Sequence, residues 1–427
     1  MIYALVVKRK TEPAFCLLFT IIFGILPFQE GFLHSVSNTH HLYCGSYVKL
    51  WQYYGEVRVQ MKWRKLGVLL LVLAFAATMV VGCGGSQDTS APDQTEKEFK
   101  VGFIYIGAPG DAGWTYAHDE GRKYLEQQIP GVKTVTLENV PEGADAERSI
   151  EQLVQEGCQV VVANSFGYGD PMLEVAKRYP DVTFLHCSGL QTAENVSTYF
   201  GRMYQPRYLS GMVAGAMTKN GKIGYAAAYP IPEVIRGINA FTLGVKAVNP
   251  DATVKVVWSN TWVDPTLEKQ AAQSLIDAGC DVLAQHADTP AVQQAAEDAG
   301  IYSIGYNSDM RKFAPNANLT SPVWNWGPYY VRVIQSVIDG TWKSEAYWGG
   351  MADGIVDLAP ISDKVPTEIV DQVQAKKQEI IQGEWDVFFG PIKAQDGTVK
   401  VPEGQALTDE EMLSMDWFVY GVEGTIE

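Results

Sequence analysis

The sequence predicts an α/β protein with two lobes, each a parallel β-sheet covered by helices on both faces. Three observations lead to this prediction. Apolar segments of strand length alternate with amphipathic segments of helix length from Phe99 onward, the series starts again near Lys222, and residues 152–163 resemble residues 274–285. Such alternation is typical of parallel sheets, because each strand needs a crossover helix before the next one. A chain of 427 residues is long enough to bury two such cores.

The first series begins with the apolar run 101–105 and the second with the run 222–226. In the first, further strands are predicted at 133–137, 160–163 and 183–185, with helices near 114–127, 144–155 and 171–178. In the second, further strands are predicted at 253–258, 282–285 and 302–305, with helices near 233–248, 266–278 and 291–299. The run 101–105 is continuously apolar, which is typical of a strand in a sheet that is buried on both faces.

The internal repeat indicates that the two lobes are homologous. In each copy a helical segment ends at a glycine, Gly157 or Gly279, and a cysteine, Cys158 or Cys280, opens the apolar strand that follows. Ligands of parallel sheets bind beyond the carboxyl ends of the strands, so two facing lobes predict one cleft that closes by a hinge motion. The chain is expected to cross between the lobes near 198–201, 306–309 and 319–324.

Residues 61–82 are predicted to be a lipoprotein signal peptide. A basic start precedes an apolar run, and Cys83 follows directly. A cysteine in this position is the residue that bacterial lipoproteins lipidate. The apolar run is shorter than the roughly 20 residues of a membrane span, which argues against the alternative of an uncleaved anchor helix. Residues 83–98, rich in small and polar side chains, are predicted to be a flexible tether.

Residues 1–60 are expected not to be translated. They contain a second apolar run, 14–28, ahead of a signal peptide that ought to be terminal. The codons for Gly55, Glu56 and Val57 can contain a ribosome-binding sequence shortly before Met61. Translation is therefore expected to begin at Met61.

The charge balance is acidic, with 33 basic and 49 acidic side chains and a net charge of −16. Residues 1–82 hold more basic than acidic side chains, so the remainder is more acidic still. Such a surface disfavours nucleic acid as a partner and is compatible with a neutral or cationic small ligand. Cys158, Cys187 and Cys280 show no metal-binding spacing and are expected to be buried free thiols.

Candidate ligand-binding residues follow the predicted strands. Trp114 opens a helix after a glycine-rich loop that lacks the lysine of a phosphate-binding loop, and is either a stacking platform at the cleft or a lid on the core. Asn164 and Phe166 follow one strand, and the repeat places Asp288 after the equivalent strand of the other lobe. The side chains of Asn164 and Asp288, and that of Asn307 after a further strand, either bind the edge of a heterocycle or cap the following helices.

Several segments, taken in order, resemble the basic membrane protein family of bacterial lipoproteins. They include YIGAPGDAGWTYAHDEGR at 105–122, WVDP at 262–265 and GYNSD at 305–309, and with similar segments they span nearly all of 99–427. The resemblance implies a type I periplasmic-binding-protein fold, with two Rossmann-like lobes joined by a hinge. It also implies an extracytoplasmic receptor that delivers a purine base or nucleoside to the permease and ATPase subunits of an ABC importer.

This resemblance assigns residues 99–200 and about 325–427 to lobe 1 with a C-terminal tail, and about 201–324 to lobe 2. Within the tail, Asp396 and Gly397 predict a hairpin turn, and Thr408 with Glu411 predicts a capping box. The tail is expected to pack on a lobe or on the hinge and not to form a separate domain.

Two departures from the family favour a purine base such as adenine over its nucleoside. Nucleoside-binding members carry an Asp in a Gly-Val-Asp segment and a Lys after a Thr-Ser strand, which hold the ribose hydroxyls. This chain has Asn307 and Trp324 at the matching places, which removes an ammonium group and supplies an apolar wall where the sugar would lie. The residues expected to contact the ligand are Trp114, Asn164, Phe166, Trp262, Asp288, Asn307 and Trp324.

Other functions remain open at this stage. Two-lobed receptors of this type also bind other small solutes such as sugars, and the purine ligand could be a nucleoside. A nucleoside hydrolase is disfavoured because no activated nucleophile, metal cluster or carboxylate pair has a recognisable catalytic spacing. A sensory protein that reports to a membrane kinase is a third alternative. No catalytic residue, metal or cofactor is expected.

Overall fold

The structure is a computed structural model that describes residues 98–426, so the predicted signal peptide, Cys83 and nearly all of the tether lie outside the described residues. The first sheet contains β1 (Phe99–Ile104), β2 (Val132–Leu137), β3 (Val160–Ala163), β4 (Thr183–Cys187), β5 (Val196–Gly201) and β12 (Ala346–Gly349). The second sheet contains β6 (Lys222–Ala227), β7 (Thr253–Trp258), β8 (Val282–His286), β9 (Tyr302–Ile304), β10 (Asn318–Thr320) and β16 (Val422–Glu423).

Both sheets are parallel throughout and have equivalent strand orders. The first has the order β12-β5-β4-β3-β1-β2 and the second the order β10-β9-β8-β6-β7-β16. Strands β1 to β5 therefore correspond in sequence to β6 to β10. The predicted α/β architecture of two lobes is confirmed.

Helices cover both sheets. Lobe 1 carries α1 (Trp114–Gln128), α2 (Ala144–Gln155), α3 (Gly169–Arg178) and α8 (Gly327–Ile338). Lobe 2 carries α4 (Tyr204–Met217), α5 (Pro232–Val248), α6 (Pro265–Asp277) and α7 (Ala291–Ala299), and α9 (Thr367–Gln382) packs on α4. Across residues 98–426, none of the helices has the length and apolar character needed to span a bilayer.

The internal repeat maps onto equivalent elements of the two lobes. The repeated strands are β3 and β8, each the neighbour of the first strand of its sheet. Gly157 and Gly279, which precede them, both have φ of 86°, the left-handed conformation that glycine adopts without strain. Cys158 and Cys280 are buried at the strand starts as free thiols, as is Cys187 in β4. These predictions are confirmed.

The chain crosses between the lobes after β5, between β10 and α8, and between β12 and α9. The crossings expected at 198–201 and 319–324 lie at the first two of these places. The crossing expected at 306–309 is wrong, because those residues join β9 to β10 within the second sheet. The second and third crossings pair as short antiparallel strands, β11 (Pro322–Trp324) with β13 (Val356–Leu358).

The C-terminal tail packs on lobe 2, which differs from the sequence-based division that grouped it with lobe 1. Strand β16 extends the second sheet beside β7, and α5 holds the tail through two buried side chains. Arg236 Nη1 donates to the carbonyl of Met412 at 2.6 Å, and Asn239 Nδ2 donates to the carbonyl of Trp417 at 2.7 Å.

The smaller elements of the tail form as predicted. Strands β14 (Ile392–Lys393) and β15 (Val399–Val401) make an antiparallel hairpin around Gly397, and Thr408 and Glu411 form the capping box of α10 (Asp409–Leu413).

Candidate ligand-binding site

A cavity of about 370 Å³ lies between the lobes, at the carboxyl ends of their strands. Lobe 1 contributes Ile106, Trp114, Asn164, Ser165, Phe166 and Ser188, and lobe 2 contributes Glu233, Trp262, His286, Asp288 and Tyr306. Part of this space is open to solvent. No lysine or arginine is among these lining residues. The cavity therefore suits a small ligand with flat apolar faces and a few polar groups.

Trp114 is held at the cleft by the loop that precedes it. Asp111 Oδ1 accepts hydrogen bonds from the backbone N–H groups of Gly113 at 2.8 Å and Tyr116 at 2.9 Å, which caps the start of α1. The indole Nε1 of Trp114 donates to the carbonyl of Asn164 at 2.6 Å. Because its N–H is engaged, Trp114 offers the ligand its ring and not a hydrogen bond.

Asn164 presents a hydrogen-bond donor to the cavity. Its Oδ1 accepts the backbone N–H of Ile106 at 3.0 Å, and because a backbone N–H can only donate, this bond determines the orientation of the amide. Its Nδ2 is buried and has no hydrogen-bond partner among residues 98–426. A buried polar group without a partner costs about 1–3 kcal/mol, so an acceptor on the ligand would bind favourably here.

Asp288 presents an acceptor from lobe 2. Its Oδ1 accepts a hydrogen bond from Asn307 Nδ2 at 3.2 Å, which leaves Oδ2 as the oxygen that can meet a ligand. Burial raises the pKa of Asp288 well above its usual range, the carboxyl groups of Asp111 and Glu268 act in the same direction, and the hydrogen bond from Asn307 opposes them. A ligand N–H on Oδ2 would favour the ionised form.

His286, Glu233 and Tyr306 form a second polar group on the lobe 2 side. His286 Nε2 lies 3.3 Å from Glu233 Oε1 and 3.3 Å from the Tyr306 hydroxyl. Burial and the Arg207 guanidinium lower the pKa of His286 to about 4, so the ring is neutral at pH 7. Glu233 lies in the first turn of α5 and offers a second acceptor.

The two lobes touch across the cleft, so this is a closed form. A Cβ atom added to Gly113 of lobe 1 would lie 1.7 Å from the carbonyl oxygen of Asp288 in lobe 2. The Ser308 hydroxyl of lobe 2 donates to the carbonyl of Ala112 in lobe 1. Two backbones thus meet directly beside the cavity.

Five of the seven predicted contact residues line the cavity, namely Trp114, Asn164, Phe166, Trp262 and Asp288. Asn307 and Trp324 lie behind it. The Trp324 ring stacks on Trp326 with ring centroids 4.5 Å apart and meets Trp114 edge-on at 5.5 Å. Its Nε1 donates to Asn307 Oδ1 at 2.9 Å. Trp324 therefore supports Trp114 from behind and does not form the wall that was expected beside a sugar.

Sequence reasoning did not select Glu233, Tyr306, Ser188 or Ile106. The equivalence of the two lobes could have pointed to one of them, because Glu233 lies in the first turn of the helix after β6, as Trp114 lies in the first turn of the helix after β1. Tyr306 and Ser188 also have similar places, just after β9 and just after β4. Among residues 98–426, no cluster of three or more His, Cys, Asp or Glu side chains could hold a metal ion.

A sequence model of the Bmp family, whose members are described as PnrA-like ABC transporter substrate-binding proteins, matches residues 99–388. The chain belongs to this family. ABC substrate-binding proteins act outside the cytoplasm and are solute receptors, not enzymes, so the predictions of family, of a binding protein and of an extracytoplasmic location are confirmed at this level. A small-molecule ligand and the permease and ATPase of an ABC transporter are its partners.

Two relatives match this chain over most of their own length. The chain is 47% identical over 329 residues to a purine-binding protein of Brucella abortus, a match that covers 77% of this chain and 94% of the relative. It is 42% identical over 339 residues to a protein of Haloferax volcanii that is provisionally named an ABC transporter glucose-binding protein, covering 79% of this chain and 84% of the relative.

The fold is that of solved solute-binding proteins. One from the ABC transporter system of Aeropyrum pernix K1 aligns with a TM-score of 0.61 at 19% sequence identity, covering 74% of this chain and 98% of that protein. Together with the two parallel sheets, this likeness confirms the predicted periplasmic-binding-protein fold.

Proposed function

We propose that this receptor binds a purine base, with adenine preferred to its nucleoside, and delivers it to an ABC importer. The observation that carries the proposal is the pair of oriented polar groups, the Asn164 amide donor and the Asp288 acceptor, in a cavity that Trp114 and Trp262 also line. A purine base carries an acceptor beside an N–H donor on one edge, and its two faces can stack on aromatic rings. The purine-binding relative supports the same class of ligand.

The groups around the cavity support a base over a nucleoside, with one exception. No cationic side chain lines the cavity within residues 98–426, and the only N–H of the Trp324 side chain donates to Asn307. Ribose hydroxyls would therefore lack the ammonium donor that nucleoside-binding members provide. Glu233 is the exception, because a carboxylate can accept hydrogen bonds from ribose hydroxyls. This residue favours the nucleoside as the second candidate ligand.

Calorimetric titration tests the proposal. We expect adenine, hypoxanthine or guanine to bind at least about tenfold more tightly than adenosine and inosine, because the sugar must fit a small cavity without a matching cation. Glucose is expected to give no measurable heat and no rise in melting temperature. Nucleosides that bind as tightly as the bases would overturn the preference for a base, and glucose binding without purine binding would overturn the purine assignment.

We further propose that Cys83 carries the lipid that anchors the receptor to the membrane, with residues 84–98 as the tether. The short apolar run 66–81 and the small residue Gly82 directly before Cys83 support this. Substituting Cys83→Ser should move the protein from the membrane fraction to the soluble fraction of the cells. Mass spectrometry of the natural protein should find Cys83 as its lipidated first residue. An unmodified Cys83 within a longer chain would contradict the proposal.

A further inference from the structure

A chain of three buried side chains runs from the cavity to the segment that joins the lobes. Asp288 lines the cavity, Asn307 lies behind it at 1% exposure, and Trp324 belongs to β11 in the second crossing. Trp324 Nε1 lies 2.9 Å from Asn307 Oδ1, and Asn307 Nδ2 lies 3.2 Å from Asp288 Oδ1. Neither Asn307 nor Trp324 lines the cavity, so both act on a ligand only through other residues.

The direction of each hydrogen bond in this chain is determined by chemistry. An indole N–H can only donate, so the amide atom of Asn307 that faces Trp324 must be the oxygen. The amide nitrogen then faces Asp288 and donates to Oδ1. As a result, Oδ1 must accept, and any proton on Asp288 has to be on Oδ2, the oxygen left for the ligand.

The backbone holds Asn307 firmly in this place. Its φ of 68° is a left-handed conformation that asparagine and aspartate adopt more readily than most residues. The Trp324 backbone N–H donates to the carbonyl of Asn307 at 3.3 Å, and Asn307 forms a bridge with Val323 of β11. Both the main chain and the side chain of Asn307 are therefore held in place by hydrogen bonds.

The other acidic side chains near Asp288 come from three directions. Asp111 faces it from lobe 1, Glu268 from α6 and Glu233 from α5, and each disfavours a negative charge on Asp288. Among these neighbours, the Asn307 amide favours the charged form through its hydrogen bond. Asn307 thus opposes both burial and the surrounding acidic side chains.

We propose that Asn307 is a positioning residue that determines which oxygen of Asp288 meets the ligand and holds that carboxyl as an acceptor for a ligand N–H. This inference rests on the proposed function, since it assigns the Asp288 contact to an N–H of a purine. With a carboxyl group at 307, the donor to Asp288 would depend on a proton.

The substitution Asn307→Asp tests this through the pH dependence of affinity. At low pH the introduced carboxyl group keeps a proton, donates to Asp288 Oδ1 and replaces the amide. As the pH rises that proton leaves, two adjacent carboxylates repel each other, and the acceptor is displaced. Between about pH 6 and about pH 8.5, where adenine is uncharged, calorimetry should show the affinity of the variant for adenine falling by about tenfold or more. The comparison is with wild type at each pH, because wild type shares every other titratable group, including Glu268, whose pKa burial raises to about 8, and lacks only the carboxyl group at 307.

A matched control is Asn318→Asp, which introduces the same change at a buried amide of lobe 2 that bonds to the Ser321 hydroxyl away from the cavity. Its stability should depend on pH, but its affinity for adenine should not. Trp324→Phe removes the N–H that orients the Asn307 amide and should weaken adenine binding by about fivefold without a slope against pH. An Asn307→Asp affinity that is independent of pH, whether unchanged or lost, would overturn the proposal.

A ligand-free measurement separates failure of this inference from failure of the proposed function. A shared proton raises the pKa of one carboxyl in the folded state, so the stability it contributes is present at low pH and is lost as the pH rises. Urea unfolding of Asn307→Asp should therefore show a falling stability relative to wild type. The exchanged pair, Asn307→Asp with Asp288→Asn, holds one carboxyl and should lose most of that slope. If wild type binds no purine but the two variants differ in the pH dependence of their stability as expected, only the proposed function fails. If the stability of both variants falls with pH by the same slope, the positioning role of Asn307 fails.

Discussion

Alanine at Gly113 is expected to weaken purine binding by about 100-fold or more, or about 2.8 kcal/mol. The added Cβ would lie 1.7 Å from the carbonyl oxygen of Asp288, and that atom belongs to the backbone of the opposite lobe. A backbone carbonyl cannot turn aside as a flexible side chain can, so the lobes must separate at this point. The ligand would then keep its contacts with one lobe and lose the full set made by both.

Calorimetry with the purine that binds most tightly measures the loss of affinity. Small-angle scattering with and without that purine measures the closure of the two lobes. Gly110→Ala is the matched control, because its Cβ would have nothing within 4 Å in the same loop. It should retain wild-type affinity and the ligand-dependent compaction, whereas Gly113→Ala should lose both. If Gly113→Ala binds and compacts as wild type does, the closed contact between Gly113 and Asp288 plays no part in binding.

The overall architecture could be predicted because its signals are local and repeat along the chain. Apolar runs of strand length alternate with amphipathic helices, and Gly157 and Gly279 mark the same turn in both lobes. The packing of the C-terminal tail on lobe 2 could not be predicted from such signals. Its position depends on the buried Arg236 and Asn239 of α5, which bind tail carbonyls more than 170 residues away in sequence. Long-range partners of this kind leave no periodic pattern.

The candidate site was predictable where residues follow strands, because parallel strand ends share one edge of a sheet. Trp114, Asn164 and Asp288 were found in this way. Asn307 also follows a strand, yet its side chain turns away from the cavity because the N–H of Trp324 and the carboxyl of Asp288 both bind it. The direction of a side chain depends on these tertiary partners, and sequence position alone does not supply them.

Glu233 shows what a fuller use of the repeat adds. It lies in the first turn of the helix after β6, as Trp114 lies in the first turn of the helix after β1, but the two residues have no chemical similarity. A comparison by residue type therefore misses the pair, and a comparison by place in the repeat finds it. The two lobes share the arrangement of their strands and differ in the side chains that line the cavity.

The substitution Asp288→Asn should change affinity and stability in opposite directions. The amide has nearly the shape of the carboxyl group, and its oxygen can still accept from Asn307 Nδ2. The atom that faces the ligand then becomes an N–H, which meets the purine N–H donor where an acceptor was present. One hydrogen bond is lost and two donors face each other, so we expect adenine to bind about 100-fold more weakly by calorimetry.

The ligand-free protein should become more stable at the same time. Burial raises the pKa of Asp288, so folding favours its neutral form, and the stability that this provides is full below the unfolded pKa of roughly 3.9 and is lost as the pH rises through the folded pKa. The amide stays neutral throughout. At about pH 8 the free energy of unfolding in urea should therefore exceed that of wild type by at least about 1 kcal/mol. Asp298→Asn, whose side chain is 74% exposed, should change neither quantity. A variant that loses affinity and stability together would show that Asp288 supports the fold and is not a dedicated ligand contact.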